Sequence, residues 1–265
     1  MRTNHNDNEK FYDMTDLLAI MKRLRDECPW DAKQTHQSLR AYLLEETYEV
    51  LESIDTENWD NLAAELGDLL LQIIFHSEIA ARQRRFDFGK VVNHIAGKLV
   101  QRHPHVFGDK QLHNAREVQD NWEHSKITNE KRTSILSGIP QTAPALLQAQ
   151  RMQEKASSVG FDWHTIEPVI EKIEEEWHEF KEALVKNDPS AMQEELGDLL
   201  FSMVNFARLS GIVAEDALRM TNEKFKKRFQ YIEKQYNHDP QAMKNESLEQ
   251  LDQHWTAAKR SERDE

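Results

Sequence analysis

The chain has 265 residues and a net charge of −13, with 31% charged and 38% hydrophobic residues. This composition is typical of a folded helical protein, and its 8 Gly and 7 Pro are too few for the many tight turns of a β-sandwich or β-barrel. The acidic balance argues against a nucleic-acid polymer as partner, because such binding needs a broad basic surface. A small nucleotide remains compatible with it, since a metal ion neutralises phosphate charge.

The first residues and the single cysteine bear on the location of the protein in the cell and on its possible metal ligands. Residues 1–10 are polar and lack the apolar centre of a signal peptide, and no apolar stretch has the length of a membrane span. We therefore expect a cytoplasmic protein with no membrane partner. The single Cys28 excludes an internal disulfide and a cysteine-based metal site.

Apolar residues recur with a helical period along most of the chain and predict an all-α fold. Residues 28–38 are predicted to be a connector and residues 105–113 a loop. The densest group of helix breakers, residues 137–144, predicts a boundary between an N-terminal unit over 1–136 and a C-terminal unit over 137–265. The predicted helices cover about residues 11–27, 39–54, 59–82, 87–102, 115–130, 145–157, 165–186, 191–210, 213–236 and 248–259.

An acidic motif pair is duplicated along the chain. The Glu-Leu-Gly-Asp-Leu-Leu sequence of residues 65–70 recurs at 195–200, and the Glu-Glu-x-x-Glu motif of residues 45–49 recurs at 175–179. Both second copies carry numbers 130 higher than the first copies, so the spacing within each pair is unchanged. A duplicated unit, built on an antiparallel helix hairpin, is the simplest explanation.

Within each predicted hairpin helix, apolar residues stand at steps of 0, +7 and +11, with acids at +3 and +6. The apolar residues are Leu43, Val50 and Ile54; Leu62, Leu69 and Ile73; Ile173, Phe180 and Leu184; and Met192, Leu199 and Met203. This spacing predicts that the acids follow one edge of the apolar stripe facing the partner helix. Four carboxylates then converge in each hairpin: Glu46, Glu49, Glu65 and Asp68, and again Glu176, Glu179, Glu195 and Asp198.

Carboxylates at close range repel one another, so a bound cation is expected among them. An all-oxygen set favours Mg²⁺, with Mn²⁺ as an alternative, over zinc. A di-iron bundle would need Glu-x-x-His from two helices, and only residues 175–178 supply it. Gly67 and Gly197 lie in mid-helix, where glycine is unfavourable, and predict the close approach of a helix or a ligand.

A basic strip follows only the second hairpin. Lys224, Lys227 and Arg228 share one face of the predicted helix over 213–236, whereas Phe225, Phe229 and Ile232 are expected to pack inward. Near a metal, these cations could hold the outer phosphates of a nucleotide; a solvated helix face is the alternative. The first copy has only Lys98 and Arg102 at comparable positions, which favours catalysis in the second unit.

Together with Cys28-Pro29-Trp30-Asp31, the stretch 102–107 and Gly160-Phe161-Asp162-Trp163, the two acidic motifs resemble the two-copy MazG form of the all-α nucleoside triphosphate pyrophosphohydrolases. The resemblance implies Mg²⁺-dependent hydrolysis of NTPs and dNTPs to monophosphate and pyrophosphate by a homodimer, with the C-terminal unit active. It implies metal ligands at Glu176, Glu179, Glu195 and Asp198, and nucleotide contacts at Lys224, Lys227, Arg228 and Trp255. Glu175 is the candidate general base.

A helical regulatory or interaction protein, whose carboxylates bind a structural cation, is the competing hypothesis. It is motivated by the apparently spare copy in the first half, where Glu46, Glu49, Glu65 and Asp68 repeat the acid pattern. Stabilisation by nucleotide in addition to Mg²⁺ would favour the enzyme, and stabilisation by the ion alone would favour the alternative.

Overall fold

We describe residues 11–111, 114, 117–118 and 134–264 of the chain in a computed structural model. The described residues contain helices and no strands, which confirms the all-α prediction. Contacts divide the chain into Met1–Leu112 and His113–Glu265, here called unit 1 and unit 2. The helix predicted over 115–130 lies outside the described residues, apart from isolated positions, and the boundary at residue 136 stays a prediction.

Unit 1 has six described helices, and their bounds follow the apolar periods closely. They are α1 (Met14–Glu27), α2 (Pro29–Lys33), α3 (Arg40–Asp55), α4 (Trp59–Arg82), α5 (Phe88–Arg102) and α6 (Pro104–Phe107). The expected connector and loop each contain a short helix, α2 and α6, which corrects both predictions. Each begins at a proline, whose fixed φ suits the first helical turn, so the same residues that break a long helix start a short one.

The core of unit 1 is apolar. Met21 of α1, Leu39, and three residues of α4, Ile74, Phe75 and Ile79, are almost completely buried together. Removing these apolar side chains from water stabilises unit 1 by the hydrophobic effect.

Unit 2 also has six described helices. They are α7 (Ala145–Ser157), α8 (Glu167–Lys186), α9 (Pro189–Leu209), α10 (Ala214–Gln235), α11 (Pro240–Lys244) and α12 (Leu248–Asp264). The short α11 is not predicted by the apolar period; Pro240 opens it and the Asp239 side chain accepts a hydrogen bond from the Gln241 backbone. No single described helix is both long and apolar enough to cross a membrane, and α9 and α10 pass only as a joined pair bent by 103°.

Each unit is centred on an antiparallel hairpin, α3 with α4 and α8 with α9. The turns are fixed by side chains that cap the second helix: Asn58 accepts from the Asn61 backbone, and Asp188 accepts from the Ala191 backbone. Asn187, with a φ of 52°, takes the left-handed conformation that ends α8. Both hairpins therefore match the predicted motif-bearing pairs.

The face that the paired helices bury differs from the predicted stripe. Each helix buries or half-buries residues at steps of 0, +3, +7 and +10, while the predicted +11 residues are exposed. Helices that wind around one another follow a 3.5-residue repeat, which turns the contact line away from the +11 position. The exposed +11 residues are Ile54, Ile73, Leu184 and Met203. The +10 positions are held by Ser53, Gln72, Ala183 and Ser202, all buried.

Candidate metal centre

The corrected stripe changes where the acids lie. The glutamate at +3 of every hairpin helix is part of the contact face, so Glu176 is buried and Glu195 is half-buried. The acids at +6, Glu179 and Asp198, are exposed. Each hairpin therefore carries two inner glutamates between the helices and two outer acids at their rim.

Three acids of unit 2 form a compact oxygen cluster. Glu176, Glu179 and Glu195 each offer a carboxylate oxygen, and these oxygens lie within 4.8 Å of one another. Asp198 is outside that group and lines a cavity of about 220 Å³ together with Glu176 and Lys172. The structure thus brings three of the four predicted ligands together and places the fourth at the adjoining wall.

The electrostatics of the cluster suit a hard cation. Burial, followed by the charges of Glu179, Glu176 and Asp198, raises the pKa of Glu195 above its ordinary value. A divalent cation removes this mutual repulsion, and carboxylate oxygens are the ligands that Mg²⁺ and Mn²⁺ prefer. The residues present therefore fit such an ion.

Lys172 is a site residue that the sequence reasoning missed. Its Nζ lies 2.6 Å from Glu176 Oε1 and 2.9 Å from Glu175 Oε1. The hydrogen bonds to Glu176 and then to Glu175 raise the pKa of Lys172, which keeps it a cation. The signal was present as a lysine three and four residues before two glutamates on one helix. Glu175, the candidate general base, is exposed and tied to this lysine.

Unit 1 repeats the oxygen cluster without the lysine. Glu46, Glu49 and Glu65 again offer oxygens within 4.8 Å of one another. Burial and the neighbouring carboxylates raise the pKa values of Glu49 and Glu65. The residue 130 positions before Lys172 is Tyr42, and Glu46 instead accepts a 3.4 Å hydrogen bond from Gln72 Nε2.

The basic strip lies on α10 and is tied to α12. Arg228 donates to Glu262 at 2.7 Å, and its guanidinium carbon lies 5.5 Å from the ring centroid of Trp255. Ile232 is buried as predicted, but Phe225 and Phe229 are exposed, with Phe225 also packed against Trp255. Phe225 and Phe229 remain exposed because the rings stack at the edge of the helices, where each ring covers only one face of its neighbour.

The described wall of the acid-lined cavity comes from Trp163, α8 and α9. None of its described wall residues belongs to α10 or α12, so the approach of Lys224, Lys227, Arg228 and Trp255 to the metal site stays a prediction.

A Cβ placed at Gly67 or Gly197 would meet no described atom within 4 Å. No described helix of this chain therefore makes the predicted close approach at these glycines, and the approach of a ligand stays a prediction.

Comparison with known proteins identifies the family of this chain. The model of the MazG nucleotide pyrophosphohydrolase domain matches the chain twice, over residues 34–107 and 164–232. The chain belongs to the MazG nucleotide pyrophosphohydrolase family. Its two MazG segments each enclose one complete hairpin, with both acidic motifs, which confirms the tandem duplication.

Several relatives match this chain over nearly its full length. The nucleoside triphosphate pyrophosphohydrolase of Escherichia coli K12 is 44% identical over 258 residues, which cover 94% of this chain and 97% of the relative. The nucleoside triphosphate pyrophosphohydrolase/pyrophosphatase MazG of Thermotoga maritima is 44% identical over 246 residues, covering 92% and 94% of the two chains. The likeness therefore includes both MazG units.

Proposed function

We propose that the chain hydrolyses nucleoside triphosphates, both NTPs and dNTPs, to nucleoside monophosphate and pyrophosphate with Mg²⁺ or Mn²⁺ in unit 2. The observation that carries the proposal is the oxygen cluster of Glu176, Glu179 and Glu195 with a lysine beside it. Phosphoryl transfer needs carboxylates that bind a metal ion and a positively charged side chain that binds a phosphate group. The names of the Escherichia coli and Thermotoga maritima relatives support the same reaction.

The roles of the acids follow from their positions. Glu176, Glu179, Glu195 and Asp198 would hold the ion, which supplies charge neutralisation on the phosphates and a more acidic bound water. Glu175 lies on the exposed side of the same helix turn and accepts the proton of the attacking water. Its link to Lys172 orients its carboxylate before substrate arrives.

Lys172 has two successive roles in this scheme. In the free enzyme it neutralises the buried Glu176 at 2.6 Å. With an ion held by the carboxylates, Glu176 would no longer need this counter-charge, and the ammonium group would be free to contact a phosphate oxygen from the same cavity wall. This residue distinguishes unit 2 from unit 1, where Tyr42 stands at the equivalent position.

The basic strip is assigned to the departing pyrophosphate. Lys224 and Lys227 present their charges on α10, and Arg228 is held in place by Glu262 and Trp255. A guanidinium fixed by two partners loses little entropy when it binds phosphate, so the strip stabilises the negative charge that develops on the leaving pyrophosphate. Trp255 acts here by positioning Arg228, and its direct contact with the nucleotide stays a prediction.

A homodimer is part of the proposal. The hairpins expose large apolar side chains, which a second copy would cover: Leu44, Tyr48 and Leu66 in unit 1, and Trp177, Leu196 and Leu200 in unit 2. The open space at Gly67 and Gly197 lies beside this surface and permits close helix approach. Light scattering at micromolar concentration tests it, and a monomeric mass refutes it. A cytoplasmic location remains an expectation.

Pyrophosphate release from dGTP in Mg²⁺ tests the reaction. Glu179→Gln should abolish it, whereas Glu49→Gln, the same change at the equivalent position of unit 1, should leave it nearly intact. Loss in the second variant alone would move the site to unit 1. Thermal melting with Mg²⁺, and with Mg²⁺ plus a nonhydrolysable dNTP, separates the enzyme from a regulatory protein with a structural ion.

A further inference from the structure

Two histidines of unit 1 are joined by a direct hydrogen bond. His36 lies in the segment that leads into α3, His76 lies on α4, and their Nδ1 atoms are 2.8 Å apart. The rings are parallel to within 3°, and their centroids are 5.1 Å apart. Parallel rings with these two distances must lie edge to edge in one plane, which is the geometry of an N–H···N hydrogen bond.

The number of protons on the pair decides whether this bond exists. A neutral imidazole has one N–H group, so one Nδ1 donates a hydrogen bond and the other accepts it. One added proton still leaves one accepting Nδ1, and the bond persists. A second added proton turns both Nδ1 atoms into donors and places two positive charges side by side, so repulsion replaces the bond.

His76 takes the second proton at a high cost in free energy. Its Nε2 is buried and has no hydrogen-bond partner in the part of the chain that the structure describes. A charged ring would therefore have a buried N–H group without an acceptor. Burial, followed by the charge of His36, lowers the pKa of His76.

Charges on the surrounding elements do not offset this cost. Helices α1, α3 and α5 all pack against α4. Among the described groups, only His36 shifts the pKa of His76 through its charge. The ionisable groups of these helices without such an effect include Arg25 of α1, Arg40 of α3, Glu78 and Arg82 of α4, and His94 of α5. Protonation of the pair therefore depends on the two rings and on the pH of the solvent.

The pair attaches the middle of segment 34–39 to α4. The two ends of this segment have other anchors, since Arg25 donates to the Gln34 carbonyl at 3.1 Å and Leu39 is buried in the core. Loss of the bond between the rings would leave the segment tied at its ends and free in its middle, at His36. Local opening of this kind precedes global unfolding in many proteins.

Unit 2 has apolar residues in place of the pair. The residues 130 positions later are Ile166 and Phe206. The same offset relates Leu39 to Val169, each of which is 1% exposed, so the two segments are in register. Ile166 and Phe206 cannot form a proton-dependent bond, and unit 2 therefore provides an internal control.

We propose that the His36–His76 bond is a pH-sensitive latch, which holds segment 34–39 on α4 near neutral pH and releases it when both rings are protonated. Because α3 directly follows this segment, release loosens the start of the helix that carries Glu46 and Glu49. Mild acidification then opens unit 1 locally and leaves the corresponding part of unit 2 closed.

The direction of the pH effect follows from the lowered pKa of His76. In the unfolded chain the ring is protonated below about pH 6.5, whereas in the folded protein it stays neutral to a lower pH. The stability that the pair contributes is therefore fully present above about pH 6.5, and it is lost as pH falls through the folded-state pKa.

Hydrogen exchange in the full-length protein tests the latch, with mass spectrometry as the readout and a correction for the intrinsic pH dependence of amide exchange. Between about pH 8 and about pH 5, the protection of residues 34–43 should fall at least about tenfold, because a lost hydrogen bond and a new repulsion both favour local opening. The matching segment of unit 2, residues 164–173, should change by less than about threefold. Equal falls in the two segments, or no fall in the first, would overturn the proposal.

Two variants separate the pair from other titrating groups. The double change His36→Ile with His76→Phe copies the residues of unit 2, and should reduce the fall in residues 34–43 to less than about threefold. His36→Gln keeps a polar partner if the double variant fails to fold, because its amide can donate to a neutral His76 and accept from a protonated one. It should limit the fall in the same way, and a fall of about tenfold that persists in either folded variant overturns the latch. The assay contains no nucleotide, so its outcome is independent of the proposed function.

Discussion

Replacing Lys172 by methionine removes the cation that neutralises the buried Glu176. At the observed separation of 2.6 Å, two unit charges attract by about 6 kcal/mol at an effective dielectric of 20. The lysine side chain is 37% exposed, so solvent screening and the desolvation of Glu176 offset most of this, leaving about 1 to 2 kcal/mol. We expect the melting temperature in EDTA to fall by about 2 to 8 °C.

Magnesium should reduce this loss. A divalent cation neutralises Glu176 in place of the lysine, so Lys172→Met should gain more stability from Mg²⁺ than the wild type does. Scanning calorimetry across a Mg²⁺ titration measures the difference. Lys181→Met is the matched control, because Lys181 lies on the same helix, 5.9 Å from the ring centroid of Trp177 and away from the acids. Equal Mg²⁺ responses of the two variants would refute the reasoning.

Asp198→Asn should lower the rate of pyrophosphate release at least about a hundredfold in a steady-state assay. Asp68→Asn, the equivalent change in unit 1, should leave the rate within about twofold. Comparable losses in the two variants would contradict the assignment of catalysis to unit 2. Because the folded-state pKa of Glu195 is raised, metal-free stability should decline as pH rises through that pKa. Glu195→Gln should therefore melt higher than wild type at neutral pH in EDTA and lose this advantage below about pH 4.5, the unfolded value, with melting curves across pH as the check. Arg228→Met breaks the pair with Glu262 and should lower the melting temperature equally with and without Mg²⁺; a Mg²⁺-dependent difference would place Arg228 at the ion instead.

The helix hairpins show how much of the structure the local sequence pattern predicts. The bounds of α4 and α7 coincide with the apolar periods, because helix formation depends on residues a few positions apart in the chain. The same period wrongly predicted that the +11 residues, such as Ile54 and Met203, would face the partner helix. The way in which two helices wind around one another depends on both helices, so the sequence of one helix does not determine it. That difference moved Glu176 from the edge of the stripe to its interior.

The sequence by itself determined the all-α fold, the duplication, and three of the four acids predicted to meet in each hairpin. The unchanged spacing of the motifs on two antiparallel helices leaves few other arrangements. Only the tertiary structure decided that Lys172 pairs with Glu176, and that Asp198 lies apart from the other three acids at the wall of the adjoining cavity. A cavity forms where the surrounding helices leave space between them. A buried oxygen without a partner, such as Gln153 Oε1, occurs where no neighbouring group donates a hydrogen bond to it. Such features depend on several segments at once, and no single stretch of the chain encodes them.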